Sequence, residues 1–188
     1  GHIAGAEALL RWHHAELGMV PPAEFIPIAE ECGLITEIGD WVLRAACDQA
    51  AQWEREGYQP IAISVNVSQQ QLAQNRLVDT LVKLRATGRL TPDRIVLELT
   101  ESLLMDDAEA SIRMLATLRE MGLALSLDDF GTGYSSLAYL KRFPLDELKI
   151  DRSFIRAVPQ SAADAAIVQT IIVLARSLGL KVVAEGVE

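Results

Sequence analysis

Six side chains stand at the ends of short apolar runs: Glu7, Asn66, Glu98, Asp128, Lys149 and Glu185, with Asp129 directly after Asp128. All but one are oxygen donors. Carboxylates brought together repel one another unless they are protonated or bridged by cations. Donors of this kind suit Mg²⁺ or Mn²⁺, whereas zinc would normally recruit His or Cys. The adjacent Asp128 and Asp129 can hold two ions ~3.5–4 Å apart, the separation used in phosphoester hydrolysis. A water between such ions is easier to deprotonate. Two cations would also reverse the local field of a chain whose formal net charge is −9, making a diphosphate substrate acceptable. Two other readings belong to the same residues. Asp129 can cap or open the Gly131-Thr132-Gly133 turn, and an enolase-type lyase also places Asp/Glu ligands and a Lys base on strand ends.

The elements that must position these groups are legible as short apolar strands alternating with helices. Strands are expected at 2–10, 61–67, 95–100, 123–128, 148–151 and 181–185. Ser68 and Gln71 form a capping-box pattern before a helix running toward Gly88, and Gly122 and Gly179 each close a helix just before the next strand. A βα repeat implies parallel strands joined by right-handed crossovers, in an open doubly wound sheet or a closed barrel. Within the strands, large aliphatics hold one parity. Ala62, Ser64 and Asn66 hold the other, as do Glu98, Asp128, Lys149 and Glu185 in theirs. An inward charge is costly unless paired or bound. In a TIM-type barrel the active site is built from the carboxyl ends of the strands.

The remaining composition narrows the function classes. The chain has 188 residues, half of them hydrophobic, enough for one substantial core. No apolar run reaches the ~18 residues needed to span a bilayer, and no secretory signal precedes one. The acidic balance, without a basic patch, argues against broad binding to nucleic acid. His2, His13 and His14 are expected on the surface or in loops, with a substrate contact open to His13 or His14. Cys32 and Cys47 are expected as buried free thiols of a reducing cytoplasm, and Trp12, Trp41 and Trp53 as packing residues of the core.

At these positions the sequence resembles the EAL domain family. Glu7-Ala8-Leu9 extends to Leu10-Arg11-Trp12 and is followed in order by Asn66-Val67-Ser68 and Glu98-Leu99-Thr100-Glu101. Then come Asp128-Asp129-Phe130-Gly131-Thr132-Gly133-Tyr134-Ser135-Ser136, Leu148-Lys149-Ile150-Asp151 and Ala184-Glu185-Gly186-Val187-Glu188. The tripeptide alone carries little information. Six motifs in order over the whole chain are specific.

The resemblance implies an α/β fold, a modified TIM (β/α)8-type barrel with one antiparallel strand. Residues 1–188 would form most of one EAL phosphodiesterase domain, its first strand and C-terminal part absent. The implied activity is hydrolysis of cyclic di-GMP to linear pGpG with Mg²⁺ or Mn²⁺ in a two-metal site, Ca²⁺ being inhibitory. A catalytically inactive cyclic di-GMP receptor is the alternative. By motif match, Glu7, Asn66, Glu98 and Asp128 resemble ligands of one metal, with Asp128 and Asp129 holding a second. Lys149 resembles the group that positions the attacking water or stabilises developing charge. Glu185 matches a carboxylate that binds metal or abstracts a proton, and Glu7 joins these two as catalytic. Arg11, Leu10 and Asp151 resemble substrate-binding residues, Arg11 gripping a phosphate and Asp151 either contacting guanine or capping the next turn. Glu101 resembles the residue that steadies the loop 129–136. The resemblance further implies a homodimer, regulatory or diguanylate cyclase-type domains outside this chain, and no contact with polymeric nucleic acid or membrane by this segment. It also implies a cytoplasmic location, including as the cytoplasmic part of a membrane-tethered protein.

Overall fold

The computed structural model describes residues 2–73, 76–131, 137–158 and 160–187. The chain divides into two compact units, Gly1–Leu97 and Glu98–Glu188.

The first unit begins with β1 (Gly5–Ala8), a short hairpin of β2 (Trp12–His14) and β3 (Gly18–Val20), then α1 (Pro22–Glu31) and α2 (Ile35–Arg55). β4 (Ala62–Asn66), α3 (Gln69–Ala73) and α4 (Arg76–Ala86) follow, and β5 (Ile95–Thr100) runs across the boundary between the units. β1 and β4 pair in parallel, with Glu7 opposite Ser64. The expected parity holds in β4, where Ile63 and Val65 are buried, Ala62 and Ser64 half-buried, and Asn66 exposed. α2 buries Ile35, Gly39, Leu43, Ala46, Cys47 and Ala50, a stripe at helical spacing that faces the core. With Leu77, Leu81 and Leu84 of α4 these make the unit's apolar interior. Each fully buried Leu contributes roughly 1.5–3 kcal/mol relative to exposure. The capping box forms as expected: Ser68 N–H donates to Gln71 Oε1 at 3.1 Å, and Gln71 N–H donates back to Ser68 Oγ at 3.4 Å.

The second unit contains α5 (Glu101–Asp106), α6 (Ala108–Glu120), β6 (Ala124–Phe130) and α7 (Leu137–Leu140). β7 (Glu147–Ile150), α8 (Arg152–Ala157), α9 (Ala162–Ser177) and β8 (Lys181–Ala184) complete it. β6, β7 and β8 pair in parallel, and Leu125, Leu127, Leu148 and Ile150 are buried. Gly122 and Gly179 end α6 and α9 with φ of 87° and 75°, a conformation that glycine reaches without strain.

Several expectations change. The β2–β3 hairpin was not anticipated, because three-residue strands carry almost no periodic signal. It draws His13 and His14 into a strand, though at the surface as expected. The first strand is shorter than the apolar run 2–10. β6 does not stop at Asp128 but continues to Phe130 through a register shift. Cys32 is exposed at the end of α1, so only Cys47 is the buried thiol expected of both.

Candidate metal and catalytic site

In the second unit, Lys149 projects from β7 into a ring of carboxylates. Its ammonium donates to Glu185 Oε1 at 2.7 Å and Glu98 Oε2 at 3.0 Å, and lies 3.3 Å from Asp128 Oδ1. The side chain is only 6% exposed. Burial by itself pushes the lysine's pKa down. The bonds to Glu185 and Glu98 and the charges of Glu98 and Asp128 more than offset this, so the amine stays protonated well above its ordinary value.

Asp128 and Asp129 are consecutive, and a regular strand would send them to opposite faces. β6 avoids this with a bulge. Leu127 pairs with Leu148 and Phe130 with Ile150, so three steps on β6 match two on β7. Asp129 takes up the extra residue at φ 54°, in the left-handed region that Asp tolerates better than most side chains. Asp128 Oδ1 accepts the Asp129 N–H at 2.9 Å. One carboxylate oxygen each from Asp128, Asp129 and Glu185 then lies within 4.8 Å of the others, the one such acidic group among the described residues. The pKa of Asp129 is raised, first by burial, then by the charges of Asp128, Asp151 and Glu185. A set of hard oxygen donors that burden one another with negative charge fits a divalent cation.

Glu101, the first residue of α5, accepts the Gly131 N–H at Oε2 across 3.3 Å. It does not cap its helix. Thr100 does, its hydroxyl accepting the Leu103 N–H at 3.4 Å. The rest of the loop that Glu101 was expected to steady, 132–136, lies outside the described residues, as does Glu188 of the last motif. Asp151 caps α8 by accepting the Ser153 N–H at 2.9 Å and the Ser153 hydroxyl, and the hydroxyl bond is the first cause of its lowered pKa.

In the first unit, Glu7, one residue before the end of β1, and Asn66, at the end of the neighbouring β4, share a parity, and Asn66 Nδ2 donates to Glu7 Oε1 at 2.9 Å. Arg11 is exposed and donates to the Leu10 carbonyl at 2.7 Å. Beside them lies a cavity of ≈ 440 Å³ whose lining includes Glu7, Leu10, Arg11, Trp41, Gln49 and Trp53. The tryptophans therefore do not pack as expected. Trp41 is 61% exposed, Trp12 is 43% exposed against His14 and Phe25, and Trp53 is half-buried. Sequence reasoning missed this cavity wall, although the four-residue spacing of Trp41, Ala45, Gln49 and Trp53 along one face of α2 carries it.

The EAL domain model matches residues 1–188. The chain belongs to the EAL domain family. The EAL domain is 50% identical over 188 residues to MucR of Pseudomonas aeruginosa, named a bifunctional diguanylate cyclase/cyclic di-GMP phosphodiesterase. It is 46% identical over 188 residues to the cyclic di-GMP phosphodiesterase NbdA of the same organism. All of this chain is matched in both, but it spans only 27% and 24% of those proteins. Among solved structures, PaMucR phosphodiesterase in complex with c-di-GMP superposes with a TM-score of 0.95 at 50% identity, covering 100% of this chain and 76% of that one. The EAL domain of Mycobacterium smegmatis DcpA gives a TM-score of 0.74 at 40% identity, covering 81% and 69%. The α/β, TIM-barrel-type fold class expected from the motifs is therefore that of this EAL domain.

Proposed function

We propose that this EAL domain hydrolyses cyclic di-GMP to linear pGpG in a reaction that depends on a divalent metal. The observation that carries the reading is a buried lysine paired with Glu185 and Asp128, two carboxylates that also belong to a cluster able to hold a cation. The names of MucR and NbdA, and the c-di-GMP bound to PaMucR, point to the same substrate.

In this reading Glu98, Asp128, Asp129 and Glu185 of the second unit, and Glu7 and Asn66 of the first, are metal ligands, and Mg²⁺ or Mn²⁺ in two sites is the metal. Bound divalent ions supply charge to the phosphoryl oxygens and make water a better nucleophile at neutral pH. Lys149, held protonated, meets the negative charge that grows on the phosphate oxygens in the transition state. Glu185 Oε1, bonded to the Lys149 ammonium, is positioned to accept a proton or to bind metal. Arg11 offers the phosphate a fork of donors, with Leu10 beside it on the cavity wall. Asp151 contacts the guanine in this reading, its capping bonds to Ser153 both being made by Oδ1. A receptor without turnover would not need the Asp128–Asp129 bulge, which brings two consecutive carboxylates to Glu185 through a left-handed backbone. A homodimer, further domains in the full-length protein and a cytoplasmic location accompany the proposal. No helix among the described residues is long and apolar enough to cross a membrane.

The test is incubation of the full-length protein with cyclic di-GMP and Mg²⁺ or Mn²⁺, with chromatography of the products. pGpG should form only with metal, Ca²⁺ should inhibit, and Glu7→Ala or Asp128→Ala should abolish turnover in folded protein. Lys149→Ala should lower kcat by ~10²-fold or more while substrate still binds. Binding without product, in wild-type protein with metal present, overturns the enzymatic reading.

A further inference from the structure

Lys149 and the metal cluster draw on the same side chains. The ammonium is bonded to Glu185 and Glu98 and lies 3.3 Å from Asp128, while the cation-holding group is Asp128, Asp129 and Glu185. Two of the three metal donors are therefore also partners of the lysine. The lysine cannot withdraw cheaply. Its backbone is fixed in β7 by pairing with Val183 of β8, and its side chain is 6% exposed. An ammonium moved out of these bonds would lose buried partners without gaining full hydration. Mg²⁺, in turn, demands oxygens at ~2.0–2.1 Å in near-octahedral order. Carboxylates turned toward a lysine nitrogen at 2.7 and 3.3 Å must be re-aimed, or shared, to meet that demand.

We infer that Lys149 is an internal competitor of the divalent cation and sets the site's metal affinity low, in addition to any part it plays in the chemistry. The inference rests on the metal reading above. Three carboxylates, Glu98, Asp128 and Glu185, face one ammonium, with Asp129 clustered beside two of them, and an arriving cation meets both the attraction of the carboxylates and the repulsion of the ammonium. The lysine relieves carboxylate repulsion while the cation is away and yields part of its bonding when the cation binds. A site tuned in this way responds to the supply of free metal instead of retaining it permanently. It also gains most from an anionic substrate, whose phosphate oxygens would add ligands and give the ammonium a further anion to face.

Mn²⁺ binding followed by electron paramagnetic resonance, without substrate, tests this on the full-length protein. Lys149→Met, neutral and of similar length, should tighten Mn²⁺ binding by roughly tenfold or more. Lys149→Arg, which keeps the charge, should bind like wild type. The rise in Tm caused by saturating Mn²⁺ should also be larger in Lys149→Met than in wild type. Should Lys149→Met fail to fold, Lys149→Gln, which retains a donor for Glu98, is read in its place. Wild type that binds Mn²⁺ while the folded neutral variants bind it equally or more weakly overturns the competition and leaves the metal reading standing. No Mn²⁺ binding by wild type or variants overturns both.

Discussion

The backbone N–H of Gly131 donates to Oε2 of Glu101 across 3.3 Å, tying the residue after the β6 bulge to the first residue of α5. Glu101 is only 5% exposed, and its other oxygen is buried without a partner among the described residues. A charged acceptor kept in such a place costs stability unless the bonds it makes matter to the structure around it. Glu101→Ala should therefore release the chain just past Asp129. Turnover should fall by ~10-fold or more and recover in part at high Mg²⁺ or Mn²⁺, because mass action refills a loosened site. Thr100→Ala is the control: loss of the actual cap should cost about 1 kcal/mol of stability with turnover little changed. Metal-titrated kinetics and melting temperature on both variants decide, and unchanged turnover in Glu101→Ala removes the clamp.

Asp129 combines a left-handed backbone with crowded charge. Its pKa is raised above 3.8, so its contribution to stability is present at low pH and is lost as pH rises through the elevated folded value. Asp129→Asn keeps a residue that tolerates this backbone and removes the charge. Without metal, the variant should be more stable than wild type above the carboxylate range, with the difference vanishing as pH falls below it. It should also bind Mn²⁺ more weakly. Urea unfolding at several pH values checks the sign, and a difference that grows toward acid pH counts against it.

Gly39 sits on the buried face of α2, where a Cβ would overlap the side-chain amide of Gln71. Gln71 is 2% exposed and completes the capping box with Ser68. Alanine favours a helix interior over glycine by up to ~1 kcal/mol. Here Gly39→Ala should instead destabilise by about 1–3 kcal/mol through overpacking. Adding Gln71→Ala should recover part of the loss. Chemical denaturation of the single and double variants measures this, and a stabilised Gly39→Ala would show that the overlap relaxes freely.

The two cysteines should differ in reactivity. Cys47 is 2% exposed, and burial, with the charge of Asp48 second, pushes its thiol up to about 11, whereas Cys32 is exposed. The thiolate is the reactive form. At pH 8 iodoacetamide should label one thiol in native protein and two in denaturant, by intact mass. The raised value also means that Cys47 supports the fold below pH 9.0 and loses that support as pH rises through about 11. Rapid double labelling of native protein would contradict both statements.

The alternation of strands and helices, and the parity that buries Ile63 and Val65 while leaving Ser64 and Asn66 on the other face, were readable because period-two patterning is a direct record of which side meets the core. So were Lys149, Glu98 and Asp128, since buried charge in an apolar strand needs a partner. The bulge was not readable, because an inserted residue alters backbone register without altering composition. Asp128-Asp129-Phe130 reads equally as a strand end followed by a turn. Trp41 and Trp53 were misjudged for a related reason: spacing shows that they share a face of α2, but not whether that face meets packed residues or a cavity. Thr100 takes the cap of α5, and the Glu101 carboxylate reaches Gly131, the part of the loop 129–136 where its expected role can be seen.

The register shift in β6 also bears on how such a domain changes over generations. Between Leu127 and Phe130 the strand has one residue more than β7 needs. Loss of the codon for Asp129 would restore one-to-one pairing with Leu148 and Ile150, remove a left-handed residue, and leave every buried aliphatic of β6 in its place. One in-frame deletion thus separates a strand that offers two adjacent carboxylates from one that offers a single carboxylate on an easier backbone. Reversal requires the insertion of an acidic residue at that one position against the strand's own preference. The path from paired to single carboxylate is in that sense downhill and short, and the path back is neither.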